Sequence, residues 1–287
     1  MKSKIYHVLI ALISSYLVVV PRYTFAIDQI EMSAGIMNFD YAEYDDDGTF
    51  LDGEKGNMPG IAIKFQGHTD TGFETEFGFD FYKATVEYDG HLQPSAYETD
   101  PVVIANVYMV PFQTNTIETV TGLHAQLSKS LDSLPNLSLF GNFGYKYWNR
   151  AIQGKNISIL GNLNLPIVGF VPGATEKYQW YQMIFGGKYN VVLNEKSTLD
   201  VSAGISRTLN PTMKNGAYTY KQKERTGYEL GVDWLVKLSP GRRIGVGGAL
   251  SYWEFGKSNV AGGYLEPYSE STMKKVQIIY QQDLLKH

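Results

Sequence analysis

Residues 72–82 read Gly-Phe-Glu-Thr-Glu-Phe-Gly-Phe-Asp-Phe-Tyr and alternate strictly. Phe73, Thr75, Phe77, Phe79 and Phe81 share one parity, and Glu74, Glu76, Gly78, Asp80 and Tyr82 share the other. Successive side chains of an extended strand point to opposite faces, so this is a strand with one apolar and one polar face. One such strand fits many sheets; its repetition is the constraint. Ile61, Ile63 and Phe65 oppose Lys64, Gln66 and His68, and Leu123, Ala125 and Leu127 oppose His124, Gln126 and Ser128. Phe143, Tyr145 and Tyr147 oppose Asn142, Gly144 and Lys146; Tyr181, Met183, Phe185 and Tyr189 oppose Gln182, Gly186 and Lys188. Leu199 to Ser206, Tyr228 to Lys237 and Ile244 to Ser251 repeat the pattern. In a soluble barrel the larger apolar residues point inward and long charged residues face water. Here the polar parity is rich in Gly and Ser, which suits a crowded polar lumen, and the apolar parity suits a lipid-facing exterior.

The connections alternate in length. Short turns fall at 69–72, 129–136, 194–197 and 239–242, and long segments at 44–59, 88–100, 151–175, 211–221 and 258–269. Four short and five long connections join ten strands, an even number that brings both termini to one side. The stretch 101–128 is too long for one ordinary strand: Val102 to Phe112 rises above the membrane, or a turn at Gln113 to Thr116 makes the count twelve. Ten is the expectation taken forward.

Composition agrees with this reading. The chain has 287 residues, 29 of them Gly, 14% aromatic, with no cysteine and a formal net charge of −4. That excludes a disulfide scaffold, a thiol nucleophile, a Cys-based zinc site and a basic field for nucleic acid. A mean hydropathy of −0.20 is too polar for a bundle of membrane helices. Residues 1–26 carry Lys2 and Lys4, an apolar run from Ile5 to Val20, Pro21, and Thr24-Phe25-Ala26. This is the layout of a cleaved signal peptide, leaving 27–287 as one barrel domain reaching the outer membrane by export. Aromatics bunch where strands meet the long loops: Phe39, Tyr41, Tyr44; Tyr82, Tyr88; Tyr147, Trp148; Tyr178, Trp180; Tyr218, Tyr220; Tyr252, Trp253, Phe255. They are expected to form an outward girdle at headgroup height.

On these features the chain resembles the small outer-membrane β-barrel proteins of Gram-negative bacteria. Gly144-Tyr-Lys-Tyr-Trp-Asn-Arg150, Glu176-Lys-Tyr-Gln-Trp180, Asn210-Pro-Thr-Met213 and Trp253-Glu-Phe-Gly-Lys-Ser258 look like recurring motifs of a poorly characterised barrel family. The strand count and five-loop layout are also similar to omptins, the outer-membrane aspartate/histidine proteases, without their catalytic residues. The resemblance implies a monomeric barrel inserted by the barrel assembly machinery. One departure is the C-terminus, where Tyr280 is followed by Gln-Gln-Asp-Leu-Leu-Lys-His287 rather than ending on an aromatic residue.

Candidate chemistry follows from parity and loops. Lys64, Glu74, Glu76, Asp80, His124, Lys146, Lys188 and Asp233 are expected to form a paired polar network in the lumen. Arg150, Lys155, Lys214, Lys221, Lys223 and Arg225 fall near the outer rim, where Arg and Lys recognise lipopolysaccharide phosphates. Asp45, Asp47 and Asp52 lie in an acidic, Gly-containing loop that offers oxygens to Ca²⁺, though the EF-hand spacing is absent. No catalytic residue is assigned; the segment 211–221 contains neither His nor Asp. The expected function is non-enzymatic surface binding by the five loops, with lipopolysaccharide and outer-membrane lipids as partners. The alternatives are an omptin-like hydrolase and a narrow channel for small solutes.

Overall fold

A computed structural model describes residues 26–91, 111–160 and 166–284. Residues 1–25 of the expected signal peptide, residues 92–110 of the long stretch between 88 and 128, 161–165 of the third loop and the last three residues lie outside them.

Ten strands close into an antiparallel barrel. They are β1 (Ala26–Tyr44), β2 (Phe50–His68), β3 (Glu74–His91), β4 (Pro111–Leu131), β5 (Leu134–Ile152), β8 (Ala174–Asn194), β9 (Ser197–Asn215), β11 (Thr226–Ser239), β12 (Arg242–Phe255) and β13 (Tyr268–Asp283). Each pairs with its neighbour in sequence, and β13 returns to pair with β1 from Gln29↔Asp283 to Tyr44↔Tyr268. Closure satisfies the backbone groups that an open edge would leave unpaired. Two short elements stand apart: β6 (Lys155–Leu160) with β7 (Pro166–Val171) form a hairpin, and β10 (Tyr218–Lys221) folds back on β9.

Gln113 to Thr116 is part of β4 rather than a turn, paired with β3 from Gln113↔Asp89 to Thr116↔Val86, so the count is ten and not twelve. Two segments expected as loops are largely strand. Residues 50–59 belong to β2, and β9 runs to Asn215. Most strands are therefore long, β4 and β8 reaching 21 residues, about twice the roughly 9–11 that a tilted strand needs to cross a hydrocarbon core. The outward apolar band marks where the extension begins. On β1 it ends at Ile36, beyond which outward positions carry Asn38 and Asp40; on β2 it ends near Ile61, beyond which come Asn57 and Lys55. Within the band the outward residues are bare: Ile205 and Val276 expose 67% and 69% of their surface.

The aromatic clusters depart from expectation. Phe39, Tyr41, Tyr82, Tyr88, Trp148, Tyr178, Trp180, Tyr220, Trp253 and Phe255 are buried inside the barrel rather than girdling it, while Tyr44, Tyr147, Tyr218 and Tyr252 are not buried. Parity decides this. Phe39 and Tyr41 continue the inward row Glu31, Ser33, Gly35, Met37, and Trp148 continues the row Gly144, Lys146. Above the lipid band a barrel no longer needs a polar interior to contrast with an apolar exterior, so its inside packs as an ordinary core.

Candidate functional site in the barrel mouth

The interior has three levels, and the strands contribute to them in the same order. Nearest the short turns is a polar lumen. Lys64 pairs with Glu31 at 2.9 Å, Lys146 with Asp80 at 3.2 Å, Lys188 with Asp200 at 3.2 Å, and His124 with Glu76 at 3.0 Å. Ser128 donates to Glu74 at 3.3 Å, and Asp233 lies near Lys64. All eight residues expected in the lumen line this space, which leaves cavities of about 250 and 720 Å³. The crowding explains two glycines. A Cβ on Gly78 would stand 2.1 Å from His124, and one on Gly122 would stand 2.3 Å from the Asp80 carboxylate. His124 and Ser128 are both present, but each is held by its own carboxylate on β3.

The second level is the aromatic layer. Trp148 on β5 meets Phe39 and Tyr41 on β1 at centroid distances of 5.2 and 4.8 Å, and stacks on Tyr178 of β8 at 4.4 Å. Trp180 of β8 meets Trp253 and Phe255 of β12 at 5.6 and 5.1 Å. Trp148 and Tyr178 are opposed on neighbouring strands, whereas β5 and β1, and β8 and β12, are not neighbours in the sheet, so the contacts of Trp148 with Phe39 and Tyr41 and of Trp180 with Trp253 and Phe255 cross the bore. Met37, Met58, Met213 and Met273 fill the remaining gaps, a use suited to their flexible side chains.

The third level, at the mouth, is built around Arg150. Its Nε donates to Glu54 at 2.7 Å, Nη1 to Glu176 at 2.8 Å and to Glu43 at 3.1 Å, and Nη2 to Asp52 at 3.2 Å. Nη1 also reaches the Tyr178 hydroxyl at 3.3 Å, and the guanidinium lies 4.7 Å from the centre of the Tyr41 ring. Glu118 accepts from the Trp148 indole, Glu266 from the Tyr178 hydroxyl, and Glu43 from the Tyr41 hydroxyl. Thr116 donates to Glu54 at 3.1 Å. Beside the cluster is a cavity of about 200 Å³ bounded by Tyr88, Phe112, Val171, Pro172 and the carboxylates.

One guanidinium cannot neutralise six buried carboxylates. Burial, and then Asp52 and Glu266, push Glu43 well above the usual carboxylate range. Burial pushes Glu54 to about 7 even though Arg150 pulls the other way. Burial and the charge of Glu176 push Glu266 to about 8; burial and Glu54 raise Glu118, and burial raises Glu176 against the pull of Arg150. For Arg150, burial opposes its charge, but Glu54 and Glu176 outweigh it and the guanidinium stays protonated. Glu266 is thus largely neutral and Glu54 about half neutral near pH 7, and in that form they serve as hydrogen-bonding groups.

Arg150 was expected at the outer rim. It is instead 1% exposed and turned into the bore, because it shares the inward parity of Lys146 and Trp148. The other five cations are exposed: Lys155 donates to the Gln113 carbonyl at 2.8 Å, Lys223 and Arg225 border a groove of about 610 Å³ with Lys257, Asp45, Asp46 and Glu270, and Lys214 and Lys221 lie on the outer surface of the extension. Lys177, assigned no role from sequence, stands directly opposite Lys214. The expected Ca²⁺ site does not assemble. Asp45 accepts the backbone N–H groups of Asp47 and Thr49 in the β1–β2 turn, whereas Asp52 points into the bore at Arg150. Among the described residues no group of three or more such side chains is placed to hold a metal ion. Glu43, Glu118, Glu176 and Glu266 received no role from sequence. The signal was available in the inward parity carried past the band, except at Glu266, which comes from a loop.

No family model matches the chain, and no curated protein matches it. Among solved structures it is similar to the outer membrane protease OmpT from Escherichia coli, with 10% identity and a TM-score of 0.56 over 91% of this chain and 98% of that one. The translocator domain of the autotransporter NalP from Neisseria meningitidis matches at 13% identity and a TM-score of 0.41, over 88% of each chain. The toluene transporter TodX from P. putida matches at 7% identity and a TM-score of 0.36, over 91% of each. Together with the closed ten-stranded sheet, the first of these likenesses shows that the chain has the fold of the outer-membrane β-barrels.

Proposed function

We propose that this chain is exported to a Gram-negative outer membrane and stands there as a monomeric barrel, inserted by the barrel assembly machinery, whose long-loop end binds surface ligands without catalysis. The observation that carries this reading is the extension itself. The strands continue above the lipid band as a packed, rigid collar, and the aromatic layer crosses the bore, which argues for a mount rather than a conduit. Lipopolysaccharide phosphate is the ligand class the collar favours. Lys177 and Lys214 face outward on adjacent strands in directly opposed positions, a like-charge pairing that costs stability unless an anion lies between. Lys155, Lys221, Lys223 and Arg225 add cations at the same end of the barrel.

The test is binding of the refolded barrel to lipopolysaccharide and to its dephosphorylated form. Phosphorylated lipopolysaccharide should bind at least tenfold tighter, and Lys177→Ala with Lys214→Ala should remove most of that preference. Equal binding of both forms, or an unchanged preference in the double variant, would sink the reading. A second reading is a surface hydrolase in which mouth carboxylates hold a water. It draws on the protonatable acids around the 200 Å³ cavity and on the fold shared with a protease. Incubation with peptides and lipopolysaccharide followed by mass spectrometry tests it: cleaved products that vanish in Glu176→Gln support it, and intact substrates eliminate it.

A further inference from the structure

Five of the six mouth carboxylates sit on barrel strands; the sixth, Glu266, belongs to residues 256–267, the loop between β12 and β13. Its side chain crosses to β8, where the Tyr178 hydroxyl donates to Glu266 Oε1. The loop is cinched near its base: Ser258 N donates to the Glu266 carbonyl at 3.0 Å, and Glu266 N donates to Ser258 Oγ at 2.8 Å. Its other polar ties run outward or to its own side of the barrel. Gly256 pairs with Lys223, Asn259 with Lys221, and Lys257 with Asp46, while Ala261 rests on the aromatic layer. We propose that Glu266 and Tyr178 form a proton-dependent latch, which holds the 257–266 tip across the mouth while Glu266 is neutral and releases it when Glu266 ionises.

The surroundings of Glu266 make ionisation in place costly. From β1 it faces Glu43 and Tyr41, from β2 Asp52, from β5 Arg150, from β8 Glu176 and Tyr178, and from β10 Tyr220. Burial removes the water that would screen a charge on Glu266, Glu176 and Asp52 repel it, and the Tyr178 hydroxyl and Arg150 offset this only in part. With the tip lifted, Glu266 is in water and titrates near its ordinary 4.5; with the tip down it titrates near 8. Protons therefore favour the closed mouth. The closing equilibrium is level below pH 4.5, falls by up to about tenfold per pH unit from there to pH 8, and is level again above. Release would uncover the Arg150 cluster and the cavity beside it, so the mouth is closed in acid and open in mild alkali.

The chain has no cysteine, so a single Val260→Cys places one spin label on the exposed tip of this loop. The full chain, folded in phospholipid bilayers, is read by electron paramagnetic resonance from pH 4.5 to 9, with Thr71→Cys in a short turn as the reference. The mobile fraction at position 260 should grow with pH while the reference stays constant, and Glu266→Gln, neutral and of the same shape, should keep the label immobile to pH 9. A label at 260 whose mobility does not change with pH overturns the latch, as does an identical pH profile in Glu266→Gln. Folding of each variant is checked by its shifted mobility on an unheated gel. If Glu266→Gln fails that check, Tyr178→Phe takes its place: release beginning at lower pH supports the latch, and an unmoved profile overturns it.

Discussion

Arg150 is held by carboxylates from β1, β2 and β8 and lies over a tyrosine from β1, so one side chain ties together strands from around the mouth. A buried cation with this many partners does not by itself imply stability, since desolvation offsets much of the attraction. Removing it is another matter, because the carboxylates stay behind. Arg150→Met should cost about 3–5 kcal/mol at pH 8. The penalty should shrink toward pH 5, because Glu54 and Glu266, with pKa values raised to about 7 and about 8, are neutral there. The sign follows from Glu54. Its pKa is about 7 in the fold against 4.5 ordinarily, so its contribution is full in acid, declines as pH rises through that interval, and has gone by about pH 7. Thermal conversion of the folded to the heat-shifted band at pH 5 and pH 8 measures this. A variant equally destabilised at both would contradict the account.

At the scale of elements, each strand does two jobs divided by height. Within the lipid band its outward face is apolar; beyond it, outward positions carry Asn, Lys and Asp, and inward positions turn from polar to aromatic to acidic. β9 needs a correction to keep its place. Asn210 has a left-handed φ of 49°, and the β8 pairing slips between Gln179 and Tyr181, so the buried row passes from Ser206 and Thr208 to Pro211 and Met213. That bulge is what lets Met213 join the aromatic layer. The height division gives a direct expectation. Val232→Arg, outward in the middle of β11, should cost about 2–4 kcal/mol, whereas Asn57→Arg, outward above the band, should cost about 0–1 kcal/mol. Refolding yield and denaturant midpoints in bilayers would compare them, and equal costs would place the membrane elsewhere on the barrel.

For the whole molecule, the aromatic layer decides what the barrel can pass. Below it the lumen is polar and cavity-containing; at its level Trp148 meets Phe39, and Trp180 meets Trp253, across the bore. Planar-bilayer recordings should show no current above background for the native chain. Trp148→Gly with Trp180→Gly should introduce small conductance events, since the removed rings leave room for water between two polar levels. Steady native conductance would restore the channel reading.

The ten-stranded barrel, its polar lumen and the eight lumen residues were legible in the sequence because a strand's faces alternate locally, with a period of two that needs no knowledge of neighbours. The same parity, carried above the band, also contained the inward direction of Arg150, Glu43 and Glu54; it was obscured at Glu54 because the segment 44–59 was expected to be loop, and at Arg150 because the rim was expected where β5 continues. What parity cannot supply is height and distance around the barrel. Which carboxylates reach Arg150, whether Trp148 meets Phe39 across the bore, and where a loop residue such as Glu266 lands depend on strand stagger and closure, which are properties of the whole sheet. Local alternation thus determined the wall of this protein, and only the closed tertiary structure decided what meets inside it.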